Sequence, residues 1–283
     1  MLVTGKEILQ DAHKKGYAVG AFNVNNMEII QAIINAAEET KSPVILQASQ
    51  GGIGYAGVEY IAALVKVAAE KASVPVALHL DHGTDFSQIM LCLRHGFTSV
   101  MIDASRFPLE ENIAETKKII EIAHSMGVSV EAELGKIGGT EDDITVDEKD
   151  ATFTSVDEAK KFVDETNVDY LAIAVGTAHG VYVGEPNLDF DRIEAIKKEL
   201  NMPLVLHGSS GVADKDIKKA VSLGINKINI DTDIRISFAN AVKNFVKENP
   251  DEIDPRKILG PAREAMQKTI EEKMKLFGSE GRA

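Results

Sequence analysis

Hydrophobic residues follow two patterns along the chain, which take turns from one segment to the next. Short apolar runs rich in β-branched residues predict strands at residues 17–23, 43–49, 75–81, 98–105, 127–133, 168–176, 202–209 and 225–231. Between these runs, apolar residues recur every three or four positions, as in EIIQAIINAAEE and VEYIAALVKVAAEK, which predicts amphipathic helices. Glycine follows several of the helices at the position where a left-handed backbone ends them: Gly96, Gly127 and Gly224.

Strands that alternate with helices predict an α/β fold with a parallel sheet. Eight such units in 283 residues match the size of a (β/α)8 TIM barrel. No linker or shift in composition divides the sequence. We therefore expect residues 1–283 to form a single TIM-barrel domain with a C-terminal helical extension.

Charge and cysteine content restrict the partners and the compartment. The formal net charge of −13 disfavours nucleic acid and anionic membranes as partners, so a phosphate group must be held by local donors. The single cysteine, Cys92, excludes a disulfide framework and favours a reducing compartment. No signal-peptide pattern or apolar run of about 18 residues is present. The sequence thus predicts a cytoplasmic protein.

Polar residues stand at the C-terminal ends of the predicted strands, where TIM barrels carry their active sites. In chain order they are Asn23, Ser49, Asp81 with His82, Asp103, Glu133, His179, His207 with Ser210, and Asn229 with Asp231. Because side chains alternate along a strand, the apolar residues can pack under the helices while the polar residues line one mouth. This pattern favours a functional site over solvated loop starts.

Three histidines at this mouth suggest a metal. His82, His179 and His207 each precede a glycine just after a predicted strand. Three imidazoles with an open fourth position are typical of catalytic zinc sites, although cobalt or iron could take the same ligands. A hydrogen-bonded histidine cluster is the alternative. His79 lies deeper, on the strand face of Asp81, and is expected to support the site from behind.

Glycine-rich turns predict a phosphate site. The run LHGSSGV opens onto a predicted helix, whose first N–H groups can bind phosphate, and NIDTD follows the last strand. The turn QASQGG is a second candidate, so a substrate with two phosphates could use both sides of the mouth. The segment ELGKIGGTEDDITVDEKDATFTS shows no period and is expected to be a loop. It is either a lid that carries Glu141 as a general base or a solvated acidic loop.

Nine stretches, in this order and spacing, resemble the class II fructose-bisphosphate aldolase family over essentially the whole chain. They are GYAVGAFNVNN, HLDHG, GFTSVMIDAS, VEAELGKIGG, GTAHG, EPNLDF, LHGSSG, INIDTDIR and DPRKILGPAREAM. The resemblance implies reversible, zinc-dependent cleavage of fructose 1,6-bisphosphate to dihydroxyacetone phosphate and glyceraldehyde 3-phosphate, through an enediolate that zinc stabilises. It implies zinc ligands at His82, His179 and His207, with an alternative buried metal position near Asp103 and Glu133.

The resemblance also implies the remaining roles. Asp81 is the acid/base on the hydroxyl next to the breaking bond, and Glu141 on the lid moves the proton of dihydroxyacetone phosphate. Arg235 reaches the second phosphate of a neighbouring subunit, in a homodimer or homotetramer. A monovalent cation, K⁺ or Na⁺, lies near the phosphate. Implied phosphate and substrate contacts are Gly180, Gly208, Ser210, Asn229, Thr232, Asn23 and Ser49.

Two residues depart from the pattern of the family, and three alternative functions remain. Val183 stands where many relatives have lysine and Gly54 where a basic residue is common, which leaves fewer cations for phosphate. Asp231 favours fructose bisphosphate, with a tagatose-bisphosphate aldolase as the alternative. A Schiff-base aldolase would need Lys227, which is expected to lie deep in the barrel. A metal hydrolase barrel would carry His-x-His on the first strand, where this chain reads AFNVNN.

Overall fold

A computed structural model describes residues 1–141, 144–146, 151–182, 184 and 186–283 of the chain. Its strands are β1 (Val19–Asn23), β2 (Val44–Ser49), β3 (Val76–Gly83), β4 (Ser99–Ile102), β5 (Ser129–Leu134), β6 (Gly138–Glu141), β7 (Ile144–Val146), β8 (Tyr170–Ile173), β9 (Ala178–His179), β10 (Leu204–Leu206) and β11 (Ile225–Ile230). Eight of them close into a parallel barrel in the order β1-β11-β10-β8-β5-β4-β3-β2. Each barrel strand overlaps one predicted run, so the predicted (β/α)8 barrel is confirmed.

Helices cover the outside of this barrel. They are α1 (Gly5–Lys15), α2 (Met27–Thr40), α3 (Gln50–Ala56), α4 (Val58–Lys71), α5 (Phe86–Arg94), α6 (Leu109–Ser125), α7 (Val156–Thr166), α8 (Phe190–Leu200), α9 (Asp214–Ser222), α10 (Thr232–Glu248) and α11 (Pro255–Phe277). Gly96, Gly127 and Gly224 follow α5, α6 and α9 with positive φ, as predicted. The last helix, α11, packs against α2 and α10 and forms the expected C-terminal extension.

The barrel is closed by apolar residues at its N-terminal end, which leaves the C-terminal end for polar chemistry. Ile8 and Leu9 of α1 pack with strand residues that include Val19, Ile45 and Val205 in one buried cluster. A larger cluster of apolar side chains fills the space between the strands and the outer helices. The burial of this surface is the main driving force for the fold.

The segment after β5 is not wholly a loop. β6 pairs with β7 in antiparallel fashion and with β9 in parallel fashion, which makes a small three-stranded sheet. The prediction of an aperiodic loop was therefore wrong for residues 138–141 and 144–146. These strands have three or four residues, too few to show a period, and β6 forms backbone hydrogen bonds with a neighbour on each side.

No single helix in the described residues is long and apolar enough to cross a membrane. Only α3 and α4 taken together reach that length and composition, and the two are bent by 94°. Val58, Ile61 and Val65 of α4 are buried in the cluster between the strands and the helices.

Candidate active site

Asp81 and His82 are adjacent in β3, yet both point toward the C-terminal mouth because the strand is bulged. The register with β4 shifts between Leu80 and Gly83, so two residues of β3 oppose one of β4. His82 has a left-handed backbone with φ of +48°, which costs a non-glycine residue roughly 1–2 kcal/mol. A side chain at Gly83 would collide with the carbonyl of Met101. The DHG motif therefore determines the local backbone conformation and also supplies two functional side chains.

The three predicted histidines meet at this mouth from three different strand ends. Ring centroids lie 4.6 Å apart for His82 and His207, 5.0 Å for His82 and His179, and 5.8 Å for His179 and His207. One ligand nitrogen from each lies within 4.8 Å of the others. His82 and His207 are buried, whereas His179, on β9, is partly exposed. The group therefore has two buried imidazoles and one from a partly exposed residue, whose Nε2 is itself buried.

Asp103 orients one of these imidazoles. His82 Nδ1 lies 2.9 Å from Asp103 Oδ2. Burial opposes ionisation of Asp103, but hydrogen bonds from His82 and Ser105 outweigh it and lower its pKa below the usual range. An ionised carboxylate only accepts hydrogen bonds, so His82 Nδ1 is the donor. His82 then presents the lone pair of Nε2 to the histidine group.

A second donor group overlaps the first. His82, Asp103 and Glu133 also bring ligand atoms within 4.8 Å of one another. Burial, and then the charge of Asp103, raise the pKa of Glu133 well above its usual value. Within the described part of the chain, Glu133 Oε2 is buried without a hydrogen-bond partner, an arrangement that costs free energy unless a cation is close. These residues fit a divalent metal ion in either group.

Asp81 is held by three side-chain amides. Its Oδ2 accepts hydrogen bonds from Asn23 Nδ2 at 3.0 Å and Gln47 Nε2 at 2.9 Å, and its Oδ1 accepts from Asn229 Nδ2 at 3.1 Å. Gln47 Nε2 also donates to Asn23 Oδ1 at 2.7 Å. The carboxylate is fully buried. Its orientation is thus determined by neighbours from β1, β2 and β11.

A cavity of about 220 Å³ opens beside the histidines. Thr232, at its wall, is the first residue of the long helix α10, and N–H groups at such a helix start favour anions. The glycines and hydroxyl residues predicted for phosphate also line it: Gly180, Gly208, Ser210, Asn229 and Thr232, together with Asn23. The cavity therefore combines the histidine site with backbone-rich turns suited to a phosphate.

Arg235 and Asp231 form an ion pair on the wall of this cavity. Arg235 Nε lies 2.8 Å from Asp231 Oδ1, and Arg235 Nη2 lies 2.6 Å from Asp231 Oδ2. The Arg235 side chain is 45% exposed, so it is open to further contacts. Its contribution to a neighbouring subunit stays a prediction.

Other predicted positions lie around the cavity. Ser49 caps α3 by accepting a hydrogen bond from Gly52 N at 3.1 Å and does not line the cavity. Gly54 lies on the exposed side of α3. The backbone of Glu141 ends β6 beside Thr140, which lines the cavity. The side chain of Glu141 lies outside the described residues, as does Val183.

Two contributing residues were missed by sequence reasoning. Gln47 shares a strand face with Ser49, and Glu131 shares one with Glu133, so alternation could have indicated both. Burial opposes ionisation of Glu131, but the adjacent Lys227 ammonium outweighs it and lowers the pKa of Glu131 below its usual range. Lys227 lies fully buried in this ion pair rather than in the cavity, which disfavours a Schiff-base role.

The barrel and its histidine-rich mouth define a TIM-barrel protein with a candidate metal-dependent active site. The chain belongs to the class II fructose-bisphosphate aldolase family, because the family model described as "Fructose-bisphosphate aldolase class-II" matches residues 3–282. The resemblance predicted from the sequence motifs is therefore confirmed at the level of the family.

Individual relatives agree along their whole lengths. A fructose-bisphosphate aldolase of Thermus caldophilus is 50% identical over 306 residues, covering 100% of both chains. A sulfofructosephosphate aldolase of Alkalicoccus urumqiensis is 50% identical over 281 residues, covering 99% of this chain and 98% of the relative. The crystal structure of the YdjI aldolase from Escherichia coli K12 matches with a TM-score of 0.88 and 41% identity, covering 100% of both chains. The chain is thus similar to aldolases that are named for different substrates.

Proposed function

We propose that this protein catalyses the reversible cleavage of fructose 1,6-bisphosphate to dihydroxyacetone phosphate and glyceraldehyde 3-phosphate. The observation that carries the proposal is the Asp81 carboxylate, which three amides hold beside the histidine group. Aldol cleavage needs a base at the hydroxyl next to the breaking bond and an electrophile at the ketone. His82, His179 and His207, or His82 with Asp103 and Glu133 in a deeper position, would hold a zinc ion, which would supply that electrophile as a Lewis acid.

Asp81 acts as the acid and base on the substrate hydroxyl. In cleavage it accepts the hydroxyl proton as the carbon–carbon bond breaks, and in condensation it returns that proton. Asn23 and Gln47 hold one carboxylate oxygen and Asn229 the other, so the group needs little reorganisation during the reaction. Proton transfer by a positioned side chain contributes about 10²–10⁴-fold to the rate.

Glu141 exchanges the second proton, at the carbon of the dihydroxyacetone phosphate fragment. Its backbone belongs to β6, which pairs with β9, so the strand that carries Glu141 is joined to the strand that carries His179. Closure of this small sheet over the mouth would exclude water from the carbanionic fragment. This role rests on the resemblance to the family, in which Glu141 matches the lid glutamate.

Phosphate is held by local donors, since the chain as a whole is strongly acidic. Gly208, Ser210 and Thr232, which line the cavity, would surround the first phosphate, and the monovalent cation, K⁺ or Na⁺, would bind close by. Arg235 approaches the second phosphate of a neighbouring subunit in a homodimer or homotetramer. Metabolism of free sugar phosphates is in keeping with a cytoplasmic location.

The preference for one epimer of the substrate depends on the residues of the cavity wall. Asp231 can accept a hydrogen bond from a sugar hydroxyl, which favours fructose 1,6-bisphosphate over tagatose 1,6-bisphosphate, the second candidate. The similarity to a sulfofructosephosphate aldolase makes sulfofructose phosphate a necessary member of any substrate panel.

The test is cleavage of fructose 1,6-bisphosphate by the purified protein before and after EDTA treatment, with zinc then restored. We expect activity to fall after metal removal and to return with zinc. Undiminished activity after verified metal removal would refute the metal-dependent reaction. Faster cleavage of tagatose 1,6-bisphosphate or sulfofructose phosphate, by kcat/KM, would refute the assignment to fructose 1,6-bisphosphate.

A further inference from the structure

An ion pair lies inside the barrel, directly beneath the histidine group. Glu131 of β5 and Lys227 of β11 are both completely buried, and Lys227 Nζ lies 2.7 Å from Glu131 Oε2. The other oxygen, Glu131 Oε1, lies 2.8 Å from His207 Nε2. Glu131 therefore connects a buried ammonium to one imidazole of the candidate metal group.

Packing alone does not account for this pair. The interior of a TIM barrel is usually filled by branched apolar side chains, and a buried ion pair is often no more stabilising than apolar residues of the same size. Among the described residues, the interior below it carries no charge: Ala21, Ile45 and Val205 lie in the cluster closed by α1, and the polar groups there are the neutral hydroxyls of Ser99, Ser129 and Tyr170. Glu131 and Lys227 thus place charge where apolar residues would cost less in desolvation.

The geometry around His207 shows what the charge can do. Lys227 Nζ, at 2.7 Å, and His79 Nε2, at 3.3 Å, lie against Glu131 Oε2, so Oε1 is the oxygen left to face His207. An ionised carboxylate only accepts hydrogen bonds, so the 2.8 Å contact with Glu131 Oε1 places the proton on His207 Nε2. Asn229 Nδ2 lies farther from this nitrogen, at 3.3 Å, and donates to Asp81 Oδ1 instead. The opposite nitrogen, His207 Nδ1, lies 2.9 Å from His82 Nε2 and points into the histidine group.

We propose that Glu131, held in place by Lys227, is a positioning residue that fixes the Nε2–H tautomer of His207 and so presents its Nδ1 lone pair to the metal ion. The inference rests on the metal site of the proposed function and deepens it. Glu133, two residues along the same strand face, has a buried oxygen without a partner in the described residues and fits a ligand role. The two glutamates of the EAE run therefore have different tasks.

Glu131→Gln tests the carboxylate. The amide can turn its NH₂ group toward His207 Nε2, which favours the opposite tautomer and places a proton on Nδ1. Loss of the carboxylate partner of a metal-binding histidine typically weakens metal binding about 10–100-fold. We expect a shift of this size in zinc affinity, measured by competition with a chromogenic chelator on the metal-free protein.

A double variant separates positioning from stability. Glu131→Gln alone leaves the Lys227 ammonium buried without its counter-charge, which destabilises the fold. Glu131→Leu with Lys227→Met removes both charges and leaves no acceptor at position 131, so thermal stability of the metal-free protein should recover while zinc affinity stays about 10–100-fold weaker. The matched control is Glu115→Leu with Lys118→Met, an exposed ion pair on α6, which should leave zinc affinity unchanged.

The tautomer itself is measurable without any substitution. Nitrogen-15 NMR of the wild-type, metal-free protein should show the ring proton of His207 on Nε2, and this result does not depend on whether the variants fold. A proton on Nδ1 would overturn the proposal, as would a folded double variant with wild-type zinc affinity. Because zinc affinity is measured without substrate, a protein that binds zinc but cleaves no sugar phosphate would refute the proposed function and leave the positioning role standing.

Discussion

Replacement of Asp81 by asparagine would separate proton transfer from the structure that supports it. The side chain keeps its size, and an asparagine oxygen at the place of Oδ2 can still accept from Asn23 and Gln47. Its NH₂ group would then face Asn229 Nδ2, which donates to Asp81 Oδ1 at 3.1 Å in the unsubstituted protein, so two donors would oppose each other. Asn229 Oδ1 has no hydrogen-bond partner in the described residues, so a flip of that amide would restore a bond.

The magnitudes follow from these contacts. Three hydrogen bonds to a charged group become neutral ones, and the difference between roughly 1.5–3 and 0.5–1.5 kcal/mol per bond limits the loss of stability to a few kcal/mol. Loss of the base should lower kcat by about 10²–10⁴-fold, which corresponds to roughly 3–5 kcal/mol in activation free energy. We therefore expect a folded, metal-loaded and nearly inactive protein.

The assay is fructose 1,6-bisphosphate cleavage, coupled to reduction of dihydroxyacetone phosphate, with zinc content and thermal unfolding measured on the same samples. Asp251→Asn, at an exposed position, is the control for the charge change. A fall in kcat of less than tenfold at full metal occupancy would refute the acid/base role of Asp81. Loss of zinc together with activity would show that Asp81 acts mainly on the metal group.

Other substitutions test the remaining parts of the site. His179→Ala should remove bound zinc and nearly all activity, and full activity with full metal content would exclude this histidine from the site. Asp231→Ala should reduce the preference for fructose over tagatose bisphosphate by about tenfold, the value of one hydrogen bond; an unchanged ratio of kcat/KM would place specificity elsewhere. The same substitution also breaks the ion pair with Arg235. Because the Arg235 side chain is 45% exposed, loss of this pair should lower the unfolding free energy by no more than about 1 kcal/mol. Gly208→Ala puts a Cβ 2.5 Å from a backbone oxygen at a φ of +61°, so KM should rise about tenfold or more. Gly54→Ala meets no atom within 4 Å and is the control, and equal KM values for the two variants would contradict a rigid phosphate turn.

The residues at the strand ends were predictable because their positions depend on local patterns. Hydrophobic periodicity locates each strand, and the C-terminal ends of parallel strands must meet at one mouth of a barrel. That rule brings His82 and His207 together at the ends of β3 and β10, whereas His179 follows the end of β8 by six residues and lies on β9 of the small sheet. The same rule could not identify the small sheet of β6, β7 and β9, because its strands are too short for a period.

The sequence by itself thus determined the barrel, its polar mouth and the family of the chain, since all three depend on residues close together or in a specific order. Tertiary structure alone decided the bulge that turns Asp81 and His82 the same way, because a bulge is a relation between β3 and β4. It also decided that Glu131 pairs with Lys227, 96 residues away, and with His207. Alternation along β5 could have indicated that Glu131 shares the face of Glu133, but its partners lie on other strands, and only the closed barrel brings them within hydrogen-bond distance.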